Sequence, residues 1–332
     1  SSRPLDRPRK EKVSVFCNVT ADDIISAPDI KSIYDVPVNF EKDQLWRRIL
    51  QKLGHRPRHH LSPAWRSMVR RMHSSRASVR VGIVGKYFGT GDFTLSDSYL
   101  SVIEAVKHAA WAQNRRPEIE WLNAQHYEKN PKSVSELKRF DAIIVPGGFG
   151  KRGVEGKISA IRYCREHKIP YLGLCYGMQL AVVEFARNVC GLRDAHTTEV
   201  ASRTKHPIIS TMSDQVANIK EGAMGGSMRL GAYDCSLSPD SRCCALYGAE
   251  MISERHRHRY ELNNAYRERL VNNGMRIAGT NPQRDLVEII ELPDHPFFVG
   301  TQFHPELRSR PLAPHPLFLG LIRVAIDRAL KK

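Results

Sequence analysis

The chain has 332 residues, 41% hydrophobic and 26% charged, an ordinary composition for a soluble globular protein with room for one large domain and an appendage. No apolar run approaches the ~18 residues that a membrane span needs, and the opening SSRPLDRPRKEK lacks the apolar core of a signal peptide. The net charge of +16 is uneven: residues 1–80 hold 17 Lys+Arg against 8 Asp+Glu, with seven arginines and no acidic residue between His55 and Arg80. Such a run keeps a nucleic-acid-binding reading open. No reader motif accompanies it, and anionic nucleotides or an acidic protein surface explain it as well, so no nucleic-acid or membrane partner is expected. Seven scattered cysteines with no CxxC pair argue against a disulfide framework or a zinc site. A reducing compartment, a cytoplasmic location and no metal are expected.

In chain order, VSVFCNV (13–19) is predicted to be a buried strand, Ser32–Val38 a second short strand and Glu41–Leu53 a helix. Residues 1–53 are too few to enclose a core and read as the tail of a domain. Residues 54–79 are Pro-, Ser- and Arg-rich and are predicted to be a basic linker with a helical turn or two. Residues 80–332 then form the main domain. Its predicted strands are Val79–Gly85, Glu118–Asn123, Phe140–Pro146 and Pro170–Leu174. Its predicted helices are Ser96–Gln113, Ile158–His167 and Met178–Asn188, the last closed by Gly191. Regular alternation of this kind implies an α/β fold, a three-layer sandwich around a mostly parallel central sheet. Beyond Glu199, strands at Glu288–Leu292 and Phe297–Gln302 point to an antiparallel addition.

Three segments carry chemistry. In PYLGLCYGMQL (170–180) an apolar strand runs into Gly173-x-Cys175-x-Gly177 and a helix begins at once, the layout of a nucleophile elbow with sulfur as nucleophile. Side chains two residues to either side of such a turn would strike neighbouring backbone, and the helix N-terminus favours the thiolate. The alternative is a buried structural cysteine. In VGTQFHPE (299–306), His304 follows a strand and Glu306 lies two residues on, so a base and its orienting carboxylate come together. Pro305 is expected to keep that stretch out of helix. In VPGGFG (145–150), glycines at a strand end free backbone N–H groups to hold an oxyanion with the N–H of Tyr176, although such a turn could equally cradle a phosphate.

GLCYGMQ, QFHPE and PGGFG occur in the order and spacing of a class I glutamine amidotransferase, which the chain resembles. More selectively, GKY (85–87), SDSYLSVIEA (96–105), GGFGKRGVEGK (147–157), QLAVVEFARNV (179–189) and SERHRHRYELN (253–263) resemble the CTP synthase family. The opening RPLDRPRKEKVSVFCNV and SIYDVP are similar to the last stretch of that family's synthetase domain. The resemblance implies a flavodoxin-like amidotransferase architecture and a glutaminase that supplies ammonia for ATP-dependent amination of UTP to CTP. Cys175 would be the nucleophile, His304 the general acid/base and Glu306 its partner. Gly148, Tyr176, Gly177, Met178 and Gln179 would line the glutamine and oxyanion site, with Glu199 near the substrate α-ammonium and Arg259 near its α-carboxylate. Hydrolysis needs no cofactor. ATP, UTP and magnesium belong to a synthetase domain or subunit, and GTP as effector and a homo-oligomer are further implications.

Tyr176 stands where the family usually has Leu, and Leu307 where it usually has an aromatic residue. FGTGDFTL (88–95) is longer than usual. No GxxxxGK[ST] phosphate loop occurs in the 332 residues. Two other readings stay open: a catalytically idle regulatory or assembly module, against which the intact Cys175, His304 and Glu306 count, and the glutaminase of another pathway, against which RHRHRYELN counts.

Overall fold

The structure, a computed structural model, describes residues 3–56, 62–85, 99–211 and 228–332. It divides into two compact units, Ser1–Ser74 and Ser75–Lys332.

The first unit is helical where strands were expected. Residues Arg7–Cys17 form a helix whose N-cap is Asp6, the side chain accepting from the Arg9 N–H, with Pro8 in the first turn and Asn18 left-handed at the end. These terminal signals outweigh the β preference of Val13, Val15 and Phe16, none of which is buried. The expected strand at Ser32–Val38 is a short 3-10 turn, Ile33–Asp35, and the start of a helix, Val36–Lys42. Ser32 caps that turn by accepting from the Tyr34 N–H, and Pro37 again sits at a helix start. A third helix, Leu45–Lys52, follows, so the helix expected over Glu41–Leu53 is broken at Asp43–Gln44, where Gln44 is left-handed. The basic stretch holds a helix of three turns, Pro63–Ser74, rather than one turn or two. Its Trp65 indole donates to the Tyr34 carbonyl (3.1 Å), Arg66 pairs with Glu41 (3.0 Å) and His73 with Asp35 (2.8 Å).

Among the described residues the second unit has twelve strands, the first five separated by helices. They are β1 (Ser78–Gly85), β2 (Arg116–Asn123), β3 (Ala142–Val145), β4 (Tyr171–Leu174), β5 (Ala195–Thr197), β6 (His206–Thr211), β7 (Arg229–Leu237), β8 (Met251–His258), β9 (Tyr260–Leu262), β10 (Arg276–Asn281), β11 (Leu286–Glu291) and β12 (Phe298–Thr301). Nine of them form one sheet in the order β2-β1-β3-β4-β12-β11-β10-β7-β8, and β5-β6-β9 form a small second sheet. From β2 to β12 the pairing is parallel, and from β12 to β8 it is antiparallel. The Phe297–Gln302 prediction therefore needs one correction: β12 closes the parallel half against β4 while opening the antiparallel half against β11.

Alternation along the central strands fills both faces of the sheet. Ala142 and Ile144 of β3 join Val79, Val81 and Ile83 beneath the helices Leu100–Ala112 and Pro316–Leu330. Ile143 and Val145 face the other way, into the helices Val154–Glu166 and Tyr176–Asn188. Burial on both faces is why these strands read as continuous apolar runs. The start of the helix predicted at Ser96, the segment FGTGDFTL and residues 86–87 of GKY lie outside the described residues.

Glycine packing is tight where helix Val154–Glu166 crosses helix Ala124–Lys129. A Cβ on Gly156 would lie 1.8 Å from the Ala124 carbonyl oxygen. Gly→Ala inside a helix ordinarily stabilises by roughly 1 kcal/mol. Here Gly156→Ala is expected to destabilise by about 1–3 kcal/mol, the range for overpacking, as a lower urea midpoint. A midpoint that rises would show that the two helices separate at no cost.

Candidate active site

Strand β4 ends at Leu174, and Cys175 is the N-cap of the following helix with φ 50° and ψ −100°. A non-glycine residue held there stores strain of about 1–3 kcal/mol, which only dense surroundings sustain. The flanking glycines supply that density. A Cβ on Gly177 would stand 2.1 Å from the Val145 carbonyl oxygen, and one on Gly173 would stand 2.8 Å from the Gly177 carbonyl carbon. The Tyr171 hydroxyl donates to the Gly177 carbonyl (2.9 Å), and the Cys175 N–H donates to Thr301 O (2.6 Å). The expected steric reason for the two glycines is the observed one.

His304 leaves β12 and caps a 3-10 turn, Pro305–Leu307, and its own N–H donates to the Arg255 carbonyl of β8 (2.8 Å). Its Nδ1 lies 2.7 Å from Glu306 Oε1. Pro305 starts a turn here rather than prolonging an extended segment, and the turn itself brings Glu306 back to the ring. A Cβ on Gly147 would be 2.9 Å from His304 Cε1 and 3.7 Å from Cys175 Cβ, so the end of β3, the elbow and the imidazole converge on one point. Burial works against a charge on His304, yet the Glu306 carboxylate and the Cys175 sulfur hold its pKa well above the usual histidine value. The ring is poised as an imidazolium beside the sulfur. Its stabilising contribution is full below the unfolded-chain pKa near 6.5 and is lost as pH rises through the higher folded value.

These residues face a cleft of about 800 Å³. Of the residues expected to bind substrate, Gly148, Gln179, Glu199 and Arg259 line it with Cys175, His304 and Glu306. Glu199 accepts from the Gly150 N–H (2.6 Å), and Tyr260, its hydroxyl pKa raised by burial and by Glu199 and pulled down by Arg259, lies within the influence of both charges. Gln179 spends its amide on the protein, donating to Tyr260 O (2.8 Å) and Gln302 Oε1 (3.2 Å). Tyr176, Gly177 and Met178 do not line the cleft. Tyr176 turns its hydroxyl to Gly150 O (3.1 Å), and Met178 packs against Gly300. A helix N-terminus points backbone, not side chains, at the cysteine, so only the Tyr176 N–H keeps an expected role.

Sequence reasoning missed Gln302, whose Nε2 lies 3.7 Å from Cys175 Sγ, and the wall formed by Arg257, His258 and Tyr260. Gln302 adjoins His304 in QFHPE, and the wall is the RHRHRY segment itself, so the signal was present in motifs already quoted. Among the described residues no group of His, Cys, Asp and Glu is placed to hold a metal ion.

Residues 94–324 match the family described as glutamine amidotransferase class-I, and residues 1–55 match the CTP synthase N-terminus. The chain belongs to the class-I glutamine amidotransferases. Within them its similarity is to CTP synthases: it is 46% identical over 329 residues to the enzyme of Rubrobacter xylanophilus and 48% over 323 residues to that of Microcystis aeruginosa. These matches cover 99% and 97% of this chain but 58% of each relative, so the chain spans little more than half their length. The glutaminase domain of Trypanosoma brucei CTPS with bound acivicin superposes with a TM-score of 0.69 at 36% identity, covering 75% of this chain and 94% of that domain.

Removing the Glu306 charge should weaken the imidazolium and with it the paired thiolate. For Glu306→Gln, alkylation of Cys175 by iodoacetamide at pH 6 is expected to slow about tenfold, with a smaller effect at pH 9. Equal rates for the two proteins at pH 6 would show that the carboxylate does not set the charge of the ring.

Proposed function

We propose that the chain hydrolyses the side-chain amide of glutamine, and that the ammonia serves amination of UTP to CTP in a complete synthase. The observation that carries this is one cleft holding both Cys175–His304–Glu306 and the opposed charges Glu199 and Arg259. A free amino acid is zwitterionic, and one acidic and one basic anchor suit its two ends.

The Cys175 thiolate attacks the amide carbon, and the oxyanion that forms lies against the Tyr176 N–H and the Gly147–Gly148 backbone. His304 gives its proton to the departing nitrogen, releasing ammonia and leaving a γ-glutamyl thioester. The now neutral ring takes a proton from water, whose oxygen attacks the thioester. Collapse returns glutamate and the thiolate, with the proton back on His304. Glu306 holds the ring in orientation throughout. These groups work without a metal or cofactor.

Residues 1–53 are proposed as the end of a synthetase domain, 54–79 as a basic linker and 80–332 as the amidotransferase domain. The partner is a synthetase domain or subunit that binds ATP, magnesium and UTP, with GTP as effector, in a cytoplasmic homo-oligomer. Among the described residues no helix is long and apolar enough to cross a membrane.

A polypeptide of these 332 residues, given glutamine, ATP, UTP and magnesium, is expected to yield glutamate and no CTP, because phosphoryl transfer needs a phosphate cradle with magnesium ligands. Residues 1–53 contain no glycine from which to build a Gly-rich loop. Separate assays of glutamate and CTP decide it: CTP would refute the division of labour, and absence of both products would favour the idle module. Cys175→Ala should abolish glutamate release. Arg259→Ala should raise KM for glutamine roughly thirty- to hundred-fold, the loss of a charge-assisted contact, and an unchanged KM would remove Arg259 from the site.

A further inference from the structure

The histidines of RHRHRY take no part in the chemistry above, yet β8 alternates so that Glu254, His256 and His258 point inward while Arg255 and Arg257 are exposed. Beneath the cleft, His256 and His258 meet Arg229, Glu261 and Glu288, all five buried. Arg229 bridges the two carboxylates, Nη1 to Glu261 Oε1 at 3.0 Å and Nη2 to Glu288 Oε1 at 2.9 Å, and its guanidinium lies 4.5 Å over the Tyr233 ring. His256 Nδ1 is 2.8 Å from His258 Nε2 and 3.7 Å from Glu288 Oε2, and His258 Nδ1 is 3.4 Å from Glu261 Oε1.

We propose that these five residues are a positioning network for the catalytic pair: the two imidazoles tie an arginine-bridged carboxylate pair to the strand that supports Cys175 and His304. This rests on the glutaminase reading. The link to the site is the backbone of β8. Its Arg255 carbonyl takes the His304 N–H (2.8 Å), and its Arg257 carbonyl lies 4.0 Å from Cys175 Sγ.

The tautomers follow from donor and acceptor counting. Burial, with the charges of Arg229 and His304 opposing a further cation, holds His256 at about 3 and His258 well below the usual value, so both rings are neutral. A neutral ring has one donor. Above the midpoints of both carboxylates, His258 Nδ1 faces an ionised Glu261 at 3.4 Å, outside hydrogen-bond geometry, and the attraction of that charge favours the proton there. Its Nε2 then accepts, so His256 must donate from Nδ1.

The pair itself titrates late. Burial raises Glu261 to about 8 and Glu288 to about 7 against the pull of Arg229, with Arg284 also opposing and Glu288 reinforcing the rise at Glu261. One guanidinium against two carboxylates leaves an excess negative charge once both have ionised. That charge develops on the alkaline side, beneath an imidazolium that acts electrostatically on both buried histidines. As pH falls through about 8 the pair regains its first proton, at Glu261, and the excess charge disappears.

Two measurements test this. In the full chain at pH 9, imidazole nitrogen-15 NMR should find His256 and His258 neutral, each with its proton on Nδ1. A proton on Nε2 of either ring, or a charged ring at pH 6, would overturn the network. This needs neither a folded variant nor an active enzyme, so a chain that released no ammonia would end the glutaminase reading while leaving the tautomer test intact. In the second, Arg229→Met should lower kcat for glutamine hydrolysis roughly ten- to hundred-fold, the penalty of a displaced catalytic group, with KM within about twofold, because the substrate anchors are elsewhere. Arg229→Lys, which keeps the charge but cannot bridge both carboxylates, should recover only part of the rate. An unchanged kcat in folded Arg229→Met, or an equal loss through KM, would refute a positioning role.

Discussion

The close approach of β3 to the elbow governs the rest of the site. With the Val145 carbonyl oxygen 2.1 Å from where a Gly177 side chain would begin, the strand and the first turn of the following helix leave no slack. Cys175 is held at φ 50° between them. The strain is met by burial on both sides of the sheet, since Ile143, Ile144, Val145, Leu172 and Leu174 are all fully buried. A large core is therefore a condition of the nucleophile and not merely its scaffold. The same packing delivers Gly147 to the His304 ring, so one constraint aligns the sulfur, the base and the backbone that faces the oxyanion.

What was legible in the sequence follows from which forces dominate locally. The parallel half of the fold was readable because its strands are buried on both faces and its helices end at clear signals. Cys175 was readable because it follows directly on β4, and His304 and Glu306 because they stand two residues apart just beyond β12. The helix Arg7–Cys17 was not legible because VSVFCNV has the β-branched residues of a strand, although a cap at Asp6 and a proline at Pro8 fix a helix start more firmly than propensity fixes a strand. In the second unit β5 to β10 went unpredicted, β8 for the opposite reason. The inward residues of β8 are Glu254, His256 and His258, so apolar alternation, the usual mark of a half-buried strand, is missing. Only tertiary partners such as Arg229, far off in sequence, reveal that those positions are interior.

Glu254 extends the same pattern. Its Oε1 receives the Tyr247 hydroxyl (3.0 Å) and lies 2.9 Å from His315 Nε2, so one face of β8 anchors polar groups along its length. Unpaired, each would carry the full cost of desolvation, but joined they specify a single register. A slip of β8 by one residue would bury Arg255 and Arg257 and expel both histidines. The buried polar face thus fixes which carbonyls meet the catalytic residues.

That explains why the strand lies at the border of the nine-stranded sheet. An edge strand presents unpaired backbone groups, ordinarily a hazard that proteins cover or blunt. Here β7 pairs with one side of β8, and carbonyls on the other are put to use. Arg255 O accepts from the His304 N–H, Arg257 O faces Cys175 Sγ, and just beyond the strand Tyr260 O accepts from Gln179 Nε2 (2.8 Å). An interior strand would have spent those carbonyls on a neighbouring ladder. The edge position leaves them free for a catalytic loop that is not itself a strand, while the exposed Arg255 guards against edge-to-edge pairing. Among the described residues, then, the free edge of β8 supplies the acceptors that hold His304 and face Cys175, and its buried polar side chains fix which carbonyls those are.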